Sequence, residues 1–347
     1  MLKKIPFIFL SLLAFQANAE FEYPCYSGEN ASVFLEDSSC CLETCNPCNN
    51  WGVWVEGEYL YWKACLSDNR VGIITTIPAR TGENTFHYLS YDRQSGVRAS
   101  IGIDGLFSRW NLWGSYTYIR PEGKVNLEAP IEKGSFIISD FMVANFGNEV
   151  AAWNYDFSTA LSQEQKIKYQ TYDILLSRDF EACCLEIHPF FGVTGLLLDQ
   201  TLNFSTANGL NTISFDGTTD YSGVGLKTGV NIVYPISKCF NIFTRSSFAM
   251  VAGSKDYKLE ADGVTNDSTP LPVTFTSKGN ACVYLPGFDI QVGLSYTANW
   301  CNKFISFKLG WEFLEWSNVP QINLLNTTND TLTLGMQGLT AGASVLF

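Results

Sequence analysis

The sequence predicts an all-β protein: a transmembrane antiparallel β-barrel with an even number of strands, about ten to fourteen. Three observations carry that expectation. Segment after segment alternates apolar and polar residues with a period of two. Short and long connections between those segments alternate along the chain. Hydrophobic residues make up 46% of the 347 and charged residues only 16%, yet no long apolar run appears after residue 19. Ordinary soluble domains carry about 25% charged residues. A barrel wall reconciles low charge with broken apolar runs, because only every second residue faces lipid.

The N-terminus indicates export. "MLKKIPFIFLSLLAFQANAE" opens with Lys3 and Lys4, continues with an apolar run from Ile5 to Phe15, and reaches Ala17-Asn18-Ala19. A basic start, a short apolar stretch and a small-x-small site make a signal peptide cut after Ala19. A membrane-spanning helix needs about 18 or more apolar residues, and this run is shorter. The expected organisation is a signal peptide over 1–19, a cysteine-rich periplasmic segment over 20–50 and an outer-membrane barrel over 51–347. Losing Lys3 and Lys4 takes the formal net charge from −12 to −14. Such acidity argues against nucleic acid as a partner.

The alternating segments follow in order. Trp51 to Lys63 puts Val53, Val55, Tyr59 and Tyr61 on one face, with Glu56 and Glu58 on the other. Val97, Ala99, Ile101 and Ile103 alternate with Arg98, Ser100, Gly102 and Asp104. Trp110, Leu112, Tyr116 and Tyr118 oppose Asn111, Trp113, Ser115 and Thr117, and Tyr172, Ile174 and Leu176 oppose Thr171 and Asp173. Val224, Leu226, Val230 and Ile232 alternate with Gly223, Gly225, Lys227, Gly229 and Asn231. Phe288 to Tyr296 opposes Asp289, Gln291, Gly293 and Ser295, and Ile305 to Phe313 opposes Ser306, Lys308, Gly310 and Glu312. Stretches 186–198 and 239–251 alternate less cleanly. The last segment sets Leu339, Ala341, Ala343, Val345 and Phe347 against Gly338, Thr340, Gly342, Ser344 and Leu346. An apolar terminal strand suits closure against the first strand, and Phe347 suits recognition by barrel-assembly machinery.

Connections 105–108, 181–185, 235–238 and 299–303 are short, whereas 64–94, 121–167, 199–219, 252–283 and 317–334 are long. Transmembrane barrels pair tight periplasmic turns with long extracellular loops; a secreted β-sandwich has no reason to segregate its loops this way. Ten strands are visible, and "SFIISDFMVANF" with "EVAAWNYDFSTAL" inside 121–167 has the composition for one more pair.

Parity assigns the lumen its charges: Glu56, Glu58, Asp104, Asp173, Asp289 and Glu312, with Arg98, Lys227, Arg245 and Lys308. Facing charges would hold water in a channel and give a weak cation preference; if they pair, they plug it. About eight strands are filled by side chains and about 16 leave an aqueous channel, so the expected count lies between.

Eleven cysteines are present: Cys25, Cys40, Cys41, Cys45, Cys48, Cys65, Cys183, Cys184, Cys239, Cys282 and Cys301. Cys183, Cys184, Cys239 and Cys301 fall in or beside short turns, so they face an oxidising periplasm where disulfides form. Cys45-x-x-Cys48 with Cys40 or Cys41 also has zinc-ligand spacing, but oxidation is the expected fate, and no metal or cofactor is expected. An odd total leaves at least one thiol free or bonded to another chain. Cys65 and Cys282 both fall at the extracellular end and form an expected pair. Enzymatic chemistry is not expected, because His87 and His188 lack any nucleophile–base motif. The glycines of "YSGVGLKTGV" have no following helix to make a phosphate site.

Six stretches in order carry a family resemblance: "WVEGEYLYWKA" (54–64), "YQTYDILLSRDF" (169–180), "LEIHPFFGVTGLLLDQ" (185–200), "YSGVGLKTGVNIVYPI" (221–236), "LGWEFLEW" (309–316) and "GMQGLTAGASVLF" (335–347). Together they resemble the pore-forming major outer membrane proteins of Legionella and chlamydia-like bacteria, over nearly all of 51–347. The cysteine-rich 20–50 and the expanded 121–167 depart from that pattern. The resemblance implies an abundant, surface-exposed outer-membrane porin passing small hydrophilic solutes and ions. Its turn cysteines resemble those of disulfide-linked chlamydial envelopes, with other envelope proteins or further copies as partners beside outer-membrane lipid. The alternative is a surface-exposed adhesive or structural barrel with no open pore.

Overall fold

The computed structural model describes residues 52–67, 70–76, 83–106, 110–129, 136–139, 159–182, 185–208, 211–237, 239–265, 271–300, 303–320 and 331–347. The expected signal peptide and the segment 20–50 lie outside them. The strands in chain order are β1 (Gly52–Leu66), β2 (Arg70–Thr76), β3 (Glu83–Tyr88), β4 (Arg93–Leu106), β5 (Trp110–Ile119), β6 (Glu122–Glu128), β7 (Phe136–Ser139) and β8 (Ala160–Arg178). They continue with β9 (Phe180–Ala182), β10 (Leu185–Asn208), β11 (Asn211–Pro235), β12 (Phe240–Thr265), β13 (Leu271–Trp300), β14 (Lys303–Pro320) and β15 (Thr331–Leu346).

Ten of these close into an antiparallel barrel. Around the ring the order is β1, β4, β5, β8, β10, β11, β12, β13, β14, β15 and back to β1. Tyr59 of β1 stands opposite both Val97 of β4 and Ala341 of β15, so the first and last ring strands are neighbours. The Phe347 amide donates to the Val53 carbonyl (2.9 Å) just beyond that seam. Two short strands continue ring strands past a break. Pro121, which has no N–H, separates β6 from β5, and β6 resumes pairing with β8 at Glu122↔Lys166. Asp179 likewise separates β9 from β8, and β9 pairs with the start of β10.

The outer wall follows from the alternation. Val224, Leu226, Ile174, Leu294, Phe307 and Leu309 are exposed although large and apolar. A water-soluble monomer rarely shows contiguous apolar patches above a few hundred Å², so this belt is lipid-facing. Stretches 186–198 and 239–251, less regular in sequence, lie in β10 and β12.

Two long connections prove to be strand. β10 to β13 run for 24, 25, 26 and 30 residues, whereas crossing a bilayer takes about 9–11. The surplus projects beyond the bilayer at the long-loop end and absorbs most of 199–219 and 252–283. The apolar alternation stops there because the outward face turns polar (Thr201, Asn203, Ser205, Asp216), while Leu202, Phe204, Phe215 and Leu259 stay buried inside. Of the extra pair expected in 121–167, only its two ends are described: Ala160 and Leu161 begin ring strand β8. Phe136–Ser139 pairs instead with β2, which also pairs with β3, in a separate three-stranded sheet; residues 140–158 lie outside the described residues. Val71 and Ile137 of that sheet belong to the same buried cluster as Leu60, Leu66, Leu198 and Leu334 from the ring. An apolar core therefore occupies the long-loop half of the barrel.

Candidate functional site: the filled lumen

Three layers of inward side chains cross the barrel. At the short-turn end, Trp54 of β1 lies over Gly102 of β4, where an added Cβ would meet the indole at 2.5 Å. The Trp54 indole N–H donates to Asp104 (2.9 Å). Phe190 meets Trp113 edge to face, with ring centroids 5.5 Å apart. It packs against Gly229, where a Cβ would lie 2.5 Å from the Phe190 ring. His188 sits beside this layer, with Nδ1 2.6 Å from Asp179 and Nε2 3.8 Å from Glu186. Small residues opposite large aromatics let a ring slightly too wide for self-filling close on itself.

The middle layer gathers nine of the ten charges that parity assigned to the lumen; Asp104 stays apart at the short-turn end. Arg98 of β4 donates to Glu58 of β1 (2.7 Å) and through both Nη atoms to Glu312 of β14 (2.7 and 3.0 Å). Its Nε donates to Thr117 (3.1 Å), and its guanidinium lies over the Trp62 ring. Arg245 of β12 stands 3.5 Å from the same Glu312. Lys227 of β11 lies 3.1 Å from Asp173 of β8 and 3.4 Å from Asp289 of β13. Asp173 also accepts from Thr194 and Ser115, and Asp289 from Ser247. Lys308 of β14 pairs with Glu56 of β1 (2.7 Å). Glu312 is 1% exposed and Arg98 8%. Dry charges persist only when paired and hydrogen-bonded, and Arg98 with Glu58 and Glu312 meets both conditions, while Asp289 keeps its Oδ1 without a hydrogen bond among the described residues. Of the two outcomes expected for facing charges, these contacts give the paired one, with side chains bonded across the lumen.

Above them the seal is direct. The Trp316 indole N–H on β14 donates to the Tyr169 hydroxyl on β8, 3.1 Å away. Gln200 of β10 donates to the Pro320 carbonyl of β14 (2.8 Å) and accepts from Gln165 (3.3 Å). Neither Tyr169 nor Trp316 was singled out from sequence. Each nevertheless shares parity with an assigned charge, Tyr169 with Asp173 and Trp316 with Glu312. Continuing the inward row would have found both.

The cysteines divide. Cys239 is half-buried beside the β11–β12 turn, at the short-turn end as expected, and its thiol is free. Cys65 and Cys282 are free and exposed on the outer wall, with β15 and β14 between their strands. In register Cys65 stands level with Gly335, Glu315 and Phe288, well below Cys282 on β13. A bridge needs Cα atoms about 4.4–6.8 Å apart, so the expected Cys65–Cys282 pair is not formed. Cys25, Cys40, Cys41, Cys45, Cys48, Cys183, Cys184 and Cys301 lie outside the described residues.

A family model described as the Legionella pneumophila major outer membrane protein precursor matches residues 45–347. The chain belongs to that family. It is an outer-membrane protein, and the match takes in every ring strand. Similar solved structures include the outer membrane protease OmpT of Escherichia coli, at 10% identity and TM-score 0.43, covering 85% of this chain and 97% of that one. A major outer membrane protein of Thermus thermophilus is 11% identical with TM-score 0.36, covering 86% and 100%. The attachment invasion locus protein Ail of Yersinia pestis is 9% identical with TM-score 0.23, covering 85% and 98%. No curated protein matches the chain.

Proposed function

We propose that this family member works as a surface-exposed structural barrel whose lumen is closed at rest. The observation that carries the reading is the Trp316–Tyr169 bond, which joins opposite walls of the ring above the paired charges. A passive diffusion pore needs continuous water; this bond bridges the diameter, and the buried cluster that includes Leu60, Leu198, Leu334 and Ile137 adds apolar filling to the lumen. The projecting β10–β13 wall and its apolar core give the surface a rigid body, as a structural or adhesive role requires. Exposed thiols at Cys65 and Cys282 and the turn thiol of Cys239 supply points for cross-links to neighbouring envelope proteins.

Reconstitution of the refolded chain into planar bilayers tests the closed reading. The expected record is quiet, without stepwise conductance under moderate voltage. Regular, long-lived steps from the unmodified chain would overturn it. A second reading is a channel that opens when the apolar core is displaced. The charged layer favours it, because ion-paired polar groups would line water once uncovered.

A further inference from the structure

Among the described residues, one edge of β13 has no strand partner above the membrane. The strand pairs with β12 along Leu271–Thr265 to Tyr296–Phe240, but with β14 only from Gly287 to Trp300. The cause lies in β14. A register shift between Trp316 and Val319 holds Asn318 at a φ of 61°, a left-handed conformation uncommon for a side-chain-bearing residue. Beyond it, β14 follows β15 alone (Val319↔Leu332, Pro320↔Thr331) and turns inward, where Val319 is fully buried and the Pro320 carbonyl accepts from Gln200. The bulge that completes the seal thus strips β13 of its neighbour.

Alternation identifies the open groups. Asn318 Nδ2 donates to the Tyr284 carbonyl (3.4 Å) on the β14 side. Residues of the same parity N-terminal to Tyr284, farther from the membrane, therefore turn both N–H and C=O to that side: Cys282, Asn280, Lys278, Thr276 and Thr274. Pro272 and Pro286 share this parity and have no N–H, so they bound the edge at either end. Among the described residues no strand pairs with it.

We infer that this edge of β13, Thr274 to Cys282, accepts an extended segment of another protein as an added strand, with an acidic side chain opposite Lys278. Main-chain pairing on an exposed edge is a general recognition mode, and a long edge left bare invites aggregation. Charge complementarity sets the partner's chemistry. Lys278 stands directly opposite Lys258, a repulsive cross-strand pair. Lys258 has Glu260 at 2.7 Å, while Lys278 has no ion-pair partner among the described residues. A second copy in the same membrane does not fit. Its symmetry axis would run along the bilayer normal, and strands tilted about 35–45° would then cross at twice that angle instead of forming a ladder.

The test uses the refolded full chain in lipid bicelles and short fluorescent peptides alternating threonine and valine. One carries a central glutamate, a second a central lysine, and a third is the glutamate peptide N-methylated at alternate residues. Saturable binding of the glutamate peptide is expected, with the N-methylated form at least about tenfold weaker because half its main-chain bonds are blocked. The glutamate form should bind about two- to fivefold better than the lysine form, the range of an exposed ion pair. Lys278→Glu should invert that preference without touching the fold. Thr276→Pro should abolish binding while retaining the barrel's heat-modifiable electrophoretic mobility. Absence of saturable binding, indifference to Thr276→Pro, or binding that emerges only after residues 321–330 are deleted would each overturn the inference.

Discussion

Tyr169 and Trp316 sit on strands five places apart in a ring of ten, yet their hydroxyl and indole nitrogen are 3.1 Å from each other. No larger separation exists in such a ring, so the bond measures how completely the barrel is filled. It also fixes the distance between β8 and β14, each of which carries part of the charged layer below.

Trp316→Phe and Tyr169→Phe should each lower stability by about 1–3 kcal/mol, since each leaves the other's buried polar group without a partner. The double variant should cost less than the two combined, because removing both partners leaves no orphan. Guanidinium unfolding of the refolded barrel, read as a double-mutant cycle, checks this. Additive losses would mean that the two side chains do not act on each other.

Arg98→Ala should destabilise the barrel by about 3–5 kcal/mol, the cost of leaving buried carboxylates uncompensated. Two of them, Glu58 and Glu312, bond to Arg98 directly. Arg98→Lys should fall between, as an ammonium keeps the charge but cannot reproduce the two-armed contact with Glu312. Melting temperatures of the three proteins in one detergent provide the comparison, and a neutral Arg98→Ala would refute the closed charged layer.

On the outer wall, Phe307→Arg should impair assembly by roughly 2–4 kcal/mol if its site lies near the bilayer midplane. Phe307→Leu keeps an apolar side chain in lipid and should assemble normally. The yield of heat-modifiable barrel in isolated outer membranes separates them; equal yields would undo the inward and outward assignment on β14.

Thiol labelling should follow the topology. A membrane-impermeant maleimide added to intact cells after mild reduction, which frees any cross-linked thiol, should modify Cys65 and Cys282, both exposed on the long-loop side, and leave Cys239 untouched until the envelope is opened. Single-cysteine variants resolve the three by mass spectrometry. Labelling of Cys239 in intact cells would invert the orientation of the barrel.

Much of this architecture was legible in the sequence because a barrel wall writes its two environments into alternate residues. Parity along β1, β4, β8, β11, β13 and β14 placed Glu58, Arg98, Asp173, Lys227, Asp289 and Glu312 on the inner face, and the structure puts all six there. The ring of ten falls within the expected range, and the strand closing against β1 carries Phe347 at its end. Periodicity faded where the outward face turns from lipid to water, so the upper halves of β10 to β13 read as connections.

The sequence by itself therefore determined which way each wall residue points, since that depends only on a local period of two and on the solvent each face meets. What lies opposite what was decided by the tertiary structure alone. Whether Arg98 faces Glu312 or open water depends on strand number and on the stagger between strands, and both are properties of ring closure, not of any one segment. The same holds for Asn318: a single bulge sends β14 into the lumen, brings Pro320 to Gln200 and bares the edge of β13. Those consequences follow from a backbone turn in three dimensions, for which one asparagine in an alternating run carries no periodic signal.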